Sequence, residues 1–250
     1  MNHSLRKFYA VILPLFLFLI HLPFVFANKK PVLNTENITE MATEITTANK
    51  VSASLLYTNL NLGSLGLSET AFDYAVKGYN QMLDKGLLNN DQILTIVDFS
   101  LPSSEKRFFV IDVVNSKVLY HTYVAHGRNS GTKFASDFSN KHESFKSSLG
   151  FYVTKGTYSG KHGFSLRLDG KEKGINDNAM SRAIVMHSAD YVNPKLIKTQ
   201  GYIGRSLGCP ALPRDVYKPI IQTIKDGSCL FIYSPANDYV SRSKMLQTAS

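Results

Sequence analysis

From residue 93 onward, the sequence consists of short runs of β-branched and aromatic residues separated by segments rich in glycine, serine and asparagine. Runs of this length and composition predict β-strands, and the polar segments between them predict turns. The clearest pair of runs flanks Asn115-Ser116 within 108–125, which predicts a β-hairpin. Further strands are predicted at 93–97, 149–154, 164–168, 183–187 and 229–233. Together these segments predict a mainly β domain over residues 91–235.

The segment at 67–90 has a helical pattern instead. Ser68 is a suitable N-cap, Gly86 is a suitable end, and apolar residues between them recur at intervals of three and four. The apolar residues of this predicted buried face are Phe72, Ala75, Val76, Tyr79, Met82 and Leu83. We therefore predict a helical extension that packs on the β domain. Residues 28–66 are predicted to be a linker with short helices, and residues 236–250 a polar tail.

The first 27 residues have the three-part layout of a secretory signal peptide. Arg6 and Lys7 precede an apolar run at 8–26, and Ala27 places a small residue before the expected cleavage point. This layout, a signal peptide over 1–27, predicts export to the periplasm or cell envelope. The alternative is an uncleaved membrane anchor, because the apolar run approaches the roughly 20 residues that span a bilayer.

Composition and charge narrow the classes of function. The chain has two cysteines, too few for a zinc module built on four cysteines. Its formal net charge of +9 suits an anionic envelope surface, but no nucleic-acid-binding motif accompanies that charge. The histidines lack the H-x-H and H-E-x-x-H spacings of common zinc sites. We therefore expect no metal, no other cofactor and no nucleic-acid partner.

The segment at 182–213 carries the residues best suited to chemistry. A predicted strand ends at His187-Ser188, and Cys209 follows in a loop bounded by glycine and proline. A thiol becomes a nucleophile when an imidazole removes its proton, so His187 and Cys209 are candidates for a catalytic pair. Glycine lets the backbone approach a reacting carbonyl. The N–H groups of Gly208 and Cys209 are therefore candidates for an oxyanion hole.

Cys209 has a second interpretation, as the disulfide partner of Cys229. Export predicts an oxidising compartment, where two cysteines can pair. Cys229 lies in an apolar predicted strand, where a buried and inert thiol is usual. The residues alone leave both the catalytic thiol and the disulfide open.

His187-Ser188 and Ser206-Leu207-Gly208-Cys209 resemble the catalytic motif of the L,D-transpeptidases with the YkuD-type fold. The similarity covers about residues 90–235 and is greatest to the variant branch described as murein L,D-transpeptidase catalytic domain proteins. Two positions depart from the usual motif, because Leu207 replaces its second histidine and Ala211 replaces an arginine. The resemblance implies a YkuD-type β-sandwich or barrel catalytic domain with a helical N-terminal extension.

The same resemblance implies a mechanism and a substrate class. Cys209 would be the nucleophile and His187 the general base, with the backbone carbonyl of Ser188 orienting the imidazole. The implied reaction attacks the bond between the diamino acid and D-Ala of a peptidoglycan stem peptide, and transfers the acyl group to an amine acceptor. Hydrolysis by an L,D-carboxypeptidase or endopeptidase is the first alternative. The second is an inactive cell-wall-binding module with a Cys209–Cys229 disulfide.

Further residues are candidates for substrate contacts. Arg205 and Arg182 are candidates to replace the positive charge of the missing motif arginine, and His162 lies in a glycine-flanked loop. The asparagines at 176 and 178 lie in a turn-rich segment, where local turn formation is the alternative role. The full predicted substrate-binding set is Arg205, Ser206, Tyr191, Arg182, Asn176, Asn178 and His162.

Overall fold

The computed structural model describes residues 52–235 and 237–247. The predicted signal peptide at 1–27 and most of the predicted linker at 28–66 lie outside these residues. Within them, no helix combines the length and the apolar character needed to cross a membrane.

An eight-stranded mixed sheet forms the centre of the fold. Its strands are β1 (Ile93–Asp98), β2 (Phe108–Asp112), β3 (Lys117–Thr122), β4 (Gly150–Gly160), β5 (Gly163–Gly170), β6 (Val185–Ser188), β7 (Ala211–Leu212) and β8 (Cys229–Tyr233). Their spatial order is β3-β2-β1-β8-β4-β5-β6-β7. The β1–β8 and β6–β7 pairs are parallel, and the other pairs are antiparallel. The predicted mainly β fold class is confirmed.

The sheet nearly closes into a barrel, because the chain that follows β3 at one edge meets β7 at the other. Ala125 pairs with Ala211, and its N–H donates to the Ala211 carbonyl at 2.9 Å. Gly127 forms a second bridge with Ser206. These two bridges define a closure seam, and the segment that carries Cys209 lies directly beside it.

Strand β8 occupies the middle of the sheet, between β1 and β4. Every residue of β1 and β8 is buried, which explains why both segments are mostly apolar and show no regular alternation with polar residues. Phe151 of β4 pairs with Phe231 of β8, and their rings stack with centroids 4.2 Å apart. The C-terminal part of the chain therefore completes the core of the sheet.

Helices α1 (Ala53–Asn59) and α2 (Glu69–Asp84) precede the sheet. The Ser68 hydroxyl caps α2 by accepting the Ala71 N–H at 3.3 Å. The buried side of α2 contains Phe72, Ala75, Val76, Tyr79 and Met82, which are residues of the predicted apolar face. Gly78 lies against Phe151 so closely that a Cβ there would be 2.0 Å from a ring carbon. The predicted helical extension thus packs directly on the sheet.

Three further helices are α3 (Pro194–Gln200), α4 (Tyr217–Ile224) and α5 (Asn237–Arg242). Helix α5 lies in the segment predicted as a polar tail. Tyr239, Met245 and Leu246 in this segment are buried, and the Tyr239 hydroxyl donates to the buried Glu172 carboxylate at 3.0 Å. A few apolar side chains therefore anchor a segment whose composition is otherwise polar.

Candidate active site

Of the residues predicted to form a catalytic pair, His187 lies on β6 and Cys209 lies in the turn just before the neighbouring strand β7. His187 belongs to β6, and its parallel partner in β7 is Ala211, two residues after Cys209. The His187 N–H approaches the Pro210 carbonyl at 3.4 Å. The Val185 N–H of the same strand lies 3.5 Å from the Cys209 sulfur. The sheet thus brings the thiol beside the strand that carries the imidazole.

The His187 ring is buried and held in one orientation. Its Nδ1 lies 2.9 Å from the Ser188 carbonyl oxygen, which can only accept a hydrogen bond. Nδ1 therefore carries the proton, and Nε2 is left as the basic nitrogen of the neutral ring. Burial lowers the pKa of His187, while the Ser188 carbonyl acts in the opposite direction. The imidazole is thus in the neutral form that a general base requires.

The Cys209 thiol is free and half-buried. Burial raises its pKa, against the opposing effects of the Val185 N–H and the Arg182 charge. Its sulfur also lies 3.8 Å from the Ala183 carbonyl, to which the S–H can donate. Cys229 is fully buried, also free, and contacts the Met82 sulfur at 3.7 Å. The disulfide that the wall-binding alternative requires is not formed in the structure.

The cysteine turn, residues 206–209, is shaped by hydrogen bonds of Ser206. Its Oγ donates to the Cys209 carbonyl at 2.6 Å and accepts the Gly208 N–H at 3.0 Å. Gly208 has a φ of +121°, and a Cβ there would lie 2.8 Å from the Lys146 carbonyl oxygen. Only glycine fits this position without a shift. Ser206, which was predicted to bind substrate, shapes the turn in this structure. The Gly208 N–H donates to Ser206 here, so it would have to break that hydrogen bond before it could donate to an oxyanion.

Arg182 holds the loop at 139–148, and both terminal nitrogens of its guanidinium are already hydrogen-bonded within the protein. Its two terminal nitrogens donate to the carbonyls of Ser139 and Lys146 at 2.7 and 2.8 Å, and to the hydroxyls of Ser148 and Ser144 at 2.6 and 3.2 Å. Its charge still lowers the pKa of Cys209. Arg182 therefore acts on the site as a positioning residue, in place of the predicted substrate contact.

Two other predicted contacts lie beside the cysteine turn. Arg205 donates from Nη1 to the Gly131 carbonyl at 3.2 Å, and its guanidinium lies 5.9 Å from the Tyr202 ring. Tyr191 packs against Gly204, whose N–H donates to the Tyr191 carbonyl at 2.7 Å. Burial raises the pKa of Tyr191, and the nearby Cys209 thiol adds to the effect. Tyr191 thus packs on the segment that leads into the cysteine turn.

The two predicted asparagine contacts have internal partners instead. The Asn176 side chain is fully buried, and its amide donates to the carbonyls of Leu149 and Phe151 at 2.9 and 3.0 Å. Its oxygen accepts the Glu172 N–H at 2.9 Å. Asn178 donates to the Asn140 carbonyl at 3.0 Å. The structure thus gives both residues the alternative role, which is to fix local turns.

His162 lies at the tip of the β4–β5 hairpin and is exposed, yet it contacts the predicted base. Its ring stacks on that of His187, with centroids 4.4 Å apart and an angle of 26° between the planes. The positive charge of protonated His162 would lower the pKa of His187 further. Of the predicted substrate-side residues, His162 is the one whose ring stacks on the predicted base.

The two departures from the usual motif have different surroundings. Leu207 is 58% exposed at the tip of the cysteine turn. Ala211 is fully buried in β7 and pairs with Ala125 at the closure seam. An arginine at position 211 would not fit this seam. Within the described ranges, no group of three His, Cys, Asp or Glu residues is arranged to hold a metal ion.

Residues 64–233 match the model of a protein family described as L,D-transpeptidase catalytic domain. The chain belongs to this family. The match includes α2, all eight strands and both members of the predicted catalytic pair. The L,D-transpeptidase resemblance inferred from the cysteine motif is confirmed at the level of the family. No curated protein matches the sequence.

Several solved structures are similar to this L,D-transpeptidase domain. An L,D-transpeptidase from Mycobacterium smegmatis is 15% identical, with a TM-score of 0.35 over 57% of this chain and 59% of that chain. A variant of the helical cell shape determining protein Pgp2 from Campylobacter jejuni is 15% identical, with a TM-score of 0.39 over 63% of this chain and 53% of that one. An L,D-transpeptidase from Stackebrandtia nassauensis is 13% identical, with a TM-score of 0.35 over 67% of this chain and 68% of that one. The chain thus spans less than two thirds of the length of the first two.

Proposed function

We propose that the chain is a cysteine acyltransferase that acts on peptidoglycan stem peptides. The observation that carries the proposal is the placement of Cys209 beside β6, whose His187 has Nδ1 committed to the Ser188 carbonyl and Nε2 left as a base. Family membership supports acyl transfer by this pair. The predicted leader at 1–27 supports export to the periplasm or cell envelope, where the polymer is found.

In the first half-reaction, the Cys209 sulfur attacks the carbonyl carbon between the diamino acid and D-Ala. Nε2 of His187 takes the thiol proton as the C–S bond forms. The same proton then passes to the amine nitrogen of D-Ala, the C–N bond breaks, and D-Ala leaves. The product is a thioester between Cys209 and the diamino acid.

In the second half-reaction, an acceptor amine attacks the thioester carbonyl. His187 takes a proton from the attacking nitrogen and returns it to the sulfur as the C–S bond breaks. A new amide bond forms, and the free thiol is restored. Water in place of the amine would give the hydrolytic products of a carboxypeptidase or endopeptidase.

The decisive experiment incubates the full chain with a tetrapeptide stem, with and without an acceptor amine, and follows the products by mass spectrometry. The proposal expects release of D-Ala together with an exchanged or cross-linked product when the amine is present. Release of D-Ala without that product would overturn transferase activity in favour of hydrolysis. No turnover together with retained binding to wall polymer would favour the binding module.

A pair of cysteine variants tests the nucleophile. Cys209→Ala should abolish turnover, because it removes the only atom placed to form the thioester. Cys229→Ala is the matched control, since this thiol is fully buried against Met82 and should affect only stability. Imipenem, which is bound in one similar L,D-transpeptidase structure, should add covalently to the wild type and to the control. An adduct that persists in Cys209→Ala would refute the assignment.

A further inference from the structure

We propose that His126, held by the buried Arg107, is a positioning residue for the cysteine turn. This inference rests on the proposed function of Cys209 as the nucleophile. Neither residue is exposed, so neither contacts substrate directly. Their effect passes through the backbone of the closure seam.

Arg107 is a fully buried cation whose donors all point inward. Its guanidinium donates to the carbonyls of Val124 and Leu101 at 3.0 and 2.9 Å and lies 4.7 Å from the Phe99 ring centroid. Its Nη2 lies 2.7 Å from Nδ1 of His126. A guanidinium can only donate, so Nδ1 of His126 is the acceptor.

This contact fixes the tautomer of His126. With Nδ1 accepting, Nε2 carries the proton and donates to the Gly131 carbonyl at 3.2 Å. Burial and the Arg107 charge lower the pKa of His126 to about 3, so the ring stays neutral at any pH near neutrality. The Gly131 carbonyl also accepts from Arg205, which comes directly before the cysteine turn. The imidazole therefore closes the 127–131 loop in one geometry.

The segment at 126–128 forms hydrogen bonds with both the N–H and the carbonyl of Ser206. The Ser206 N–H donates to the His126 carbonyl at 2.8 Å, and the Arg128 N–H donates to the Ser206 carbonyl at 2.7 Å. The Ser206 hydroxyl then donates to the Cys209 carbonyl at 2.6 Å. Hydrogen bonds of the side chains and backbone of His126 and Ser206 thus connect Arg107 to the backbone carbonyl of Cys209.

Two substitutions separate the two hydrogen bonds of the His126 ring, one with Arg107 and one with the Gly131 carbonyl. The Asn oxygen of His126→Asn takes the place of Nδ1 and accepts from Arg107, but Asn lacks a donor that reaches Gly131. The Gln amide nitrogen of His126→Gln takes the place of Nε2 and donates to Gly131, but leaves Arg107 without that acceptor. His121→Gln is the matched control. His121 also bonds a carbonyl through Nε2, that of Lys106 at 3.1 Å, but lies on β3.

The test measures the rate at which iodoacetamide alkylates Cys209, together with kcat, KM and the melting temperature. Cys229 is fully buried and stays unmodified in the folded chain, so intact mass reports on Cys209. We expect His126→Asn to lower the alkylation rate and kcat by about tenfold at unchanged KM, because small displacements of a reacting group are costly. His126→Gln should keep both rates within about threefold of wild type, with the larger loss of melting temperature.

A purely structural role predicts a different order. Rates that follow the melting temperature, or equal rates in the Asn and Gln variants and the control, would overturn the positioning role. The alkylation arm needs no substrate, so it distinguishes the two proposals. The two proposals can also fail separately. If alkylation is slow in His126→Asn and near the wild-type rate in His126→Gln, but the wild type gives no transfer product, the proposed function is wrong and the positioning role is supported.

Discussion

At the scale of single residues, the site holds its catalytic pair in the uncharged form. Burial raises the pKa of the Cys209 thiol and lowers that of the His187 imidazole, so neither shift favours a thiolate–imidazolium pair at rest. In the proposed mechanism, the proton therefore moves as the sulfur attacks a bound carbonyl. Reactivity in such a site depends on the substrate being in place.

The stacking of His162 on His187 makes a prediction about pH dependence. His162 stacks on His187, and its charge is one of the causes that lower the pKa of His187, so that His187 stays a base at more acidic pH. His162→Phe keeps an aromatic ring in the stack but removes that charge. The pKa of His187 should rise, and the acidic limb of the kcat/KM profile should move to higher pH.

The His121→Gln variant is again the control, because His121 stacks on Phe109 on another strand. It should leave the acidic limb unchanged. An acidic limb in His162→Phe that coincides with that of the wild type, or lies at lower pH, would show that His162 does not tune the base.

At the scale of elements, the cysteine turn depends on one glycine and two neighbouring loops. Gly208 has left-handed backbone geometry, and the Lys146 carbonyl lies where its Cβ would be. Arg182 helps to hold the Lys146 carbonyl in that position, because its Nη2 donates a hydrogen bond to this oxygen at 2.8 Å. The turn is therefore enclosed by groups that cannot retreat without breaking other hydrogen bonds.

Gly208→Ala tests this enclosure. The added methyl group must displace either Lys146 or the turn itself, so we expect kcat to fall at least about tenfold. Gly201→Ala is the matched control, because Gly201 has a φ of +84° but open space around it. The control should lose about 1 kcal/mol of stability from backbone strain alone and keep its activity. Equal activities in the two variants would contradict the close fit at Gly208.

At the scale of the whole molecule, α2 and the sheet form one unit within residues 49–250. Gly78 of α2 lies closely against the Phe151 ring of the sheet. Alanine usually stabilises a helix relative to glycine by about 1 kcal/mol. Here the sign should reverse, because the Cβ would overlap the ring.

We expect Gly78→Ala to lower the free energy of unfolding by about 2–3 kcal/mol, the cost of overpacking a core. Urea denaturation monitored by circular dichroism measures the loss. Lys77→Ala on the exposed side of the same helix should change stability by less than about 0.5 kcal/mol. A Gly78→Ala variant as stable as the wild type would mean that α2 docks less tightly than the structure indicates.

Local sequence patterns predicted the elements better than their arrangement. The intervals between Phe72 and Met82 predicted α2, and the apolar runs at 93–97 and 229–233 predicted two central strands. The order of strands and the pairing of Ala125 with Ala211 depend on contacts between distant segments. Periodicity carries no information about such contacts.

The sequence predicted the site residues whose role follows from their chemical type, and it missed those whose role follows from their burial in the fold. Cys209 and His187 stand out because few residues supply a nucleophile and a base. Arg107 and His126 do not stand out in the sequence, because arginine is usually exposed and an isolated histidine usually has no catalytic role. The one available signal was an arginine directly before the apolar run of β2. Asn176 was predicted as a ligand contact because an asparagine in a turn and one in a pocket have the same sequence context.

The closure seam has a consequence for how activity arises during folding. The parallel β6–β7 pair places Cys209 beside the strand of His187, and the Ala125–Ala211 and Gly127–Ser206 bridges hold the cysteine turn from the other edge of the sheet. An intermediate with every strand paired but the barrel still open would leave the cysteine turn without the support of these two bridges. With Cys209 as the proposed nucleophile, full turnover would therefore return only after the seam has closed.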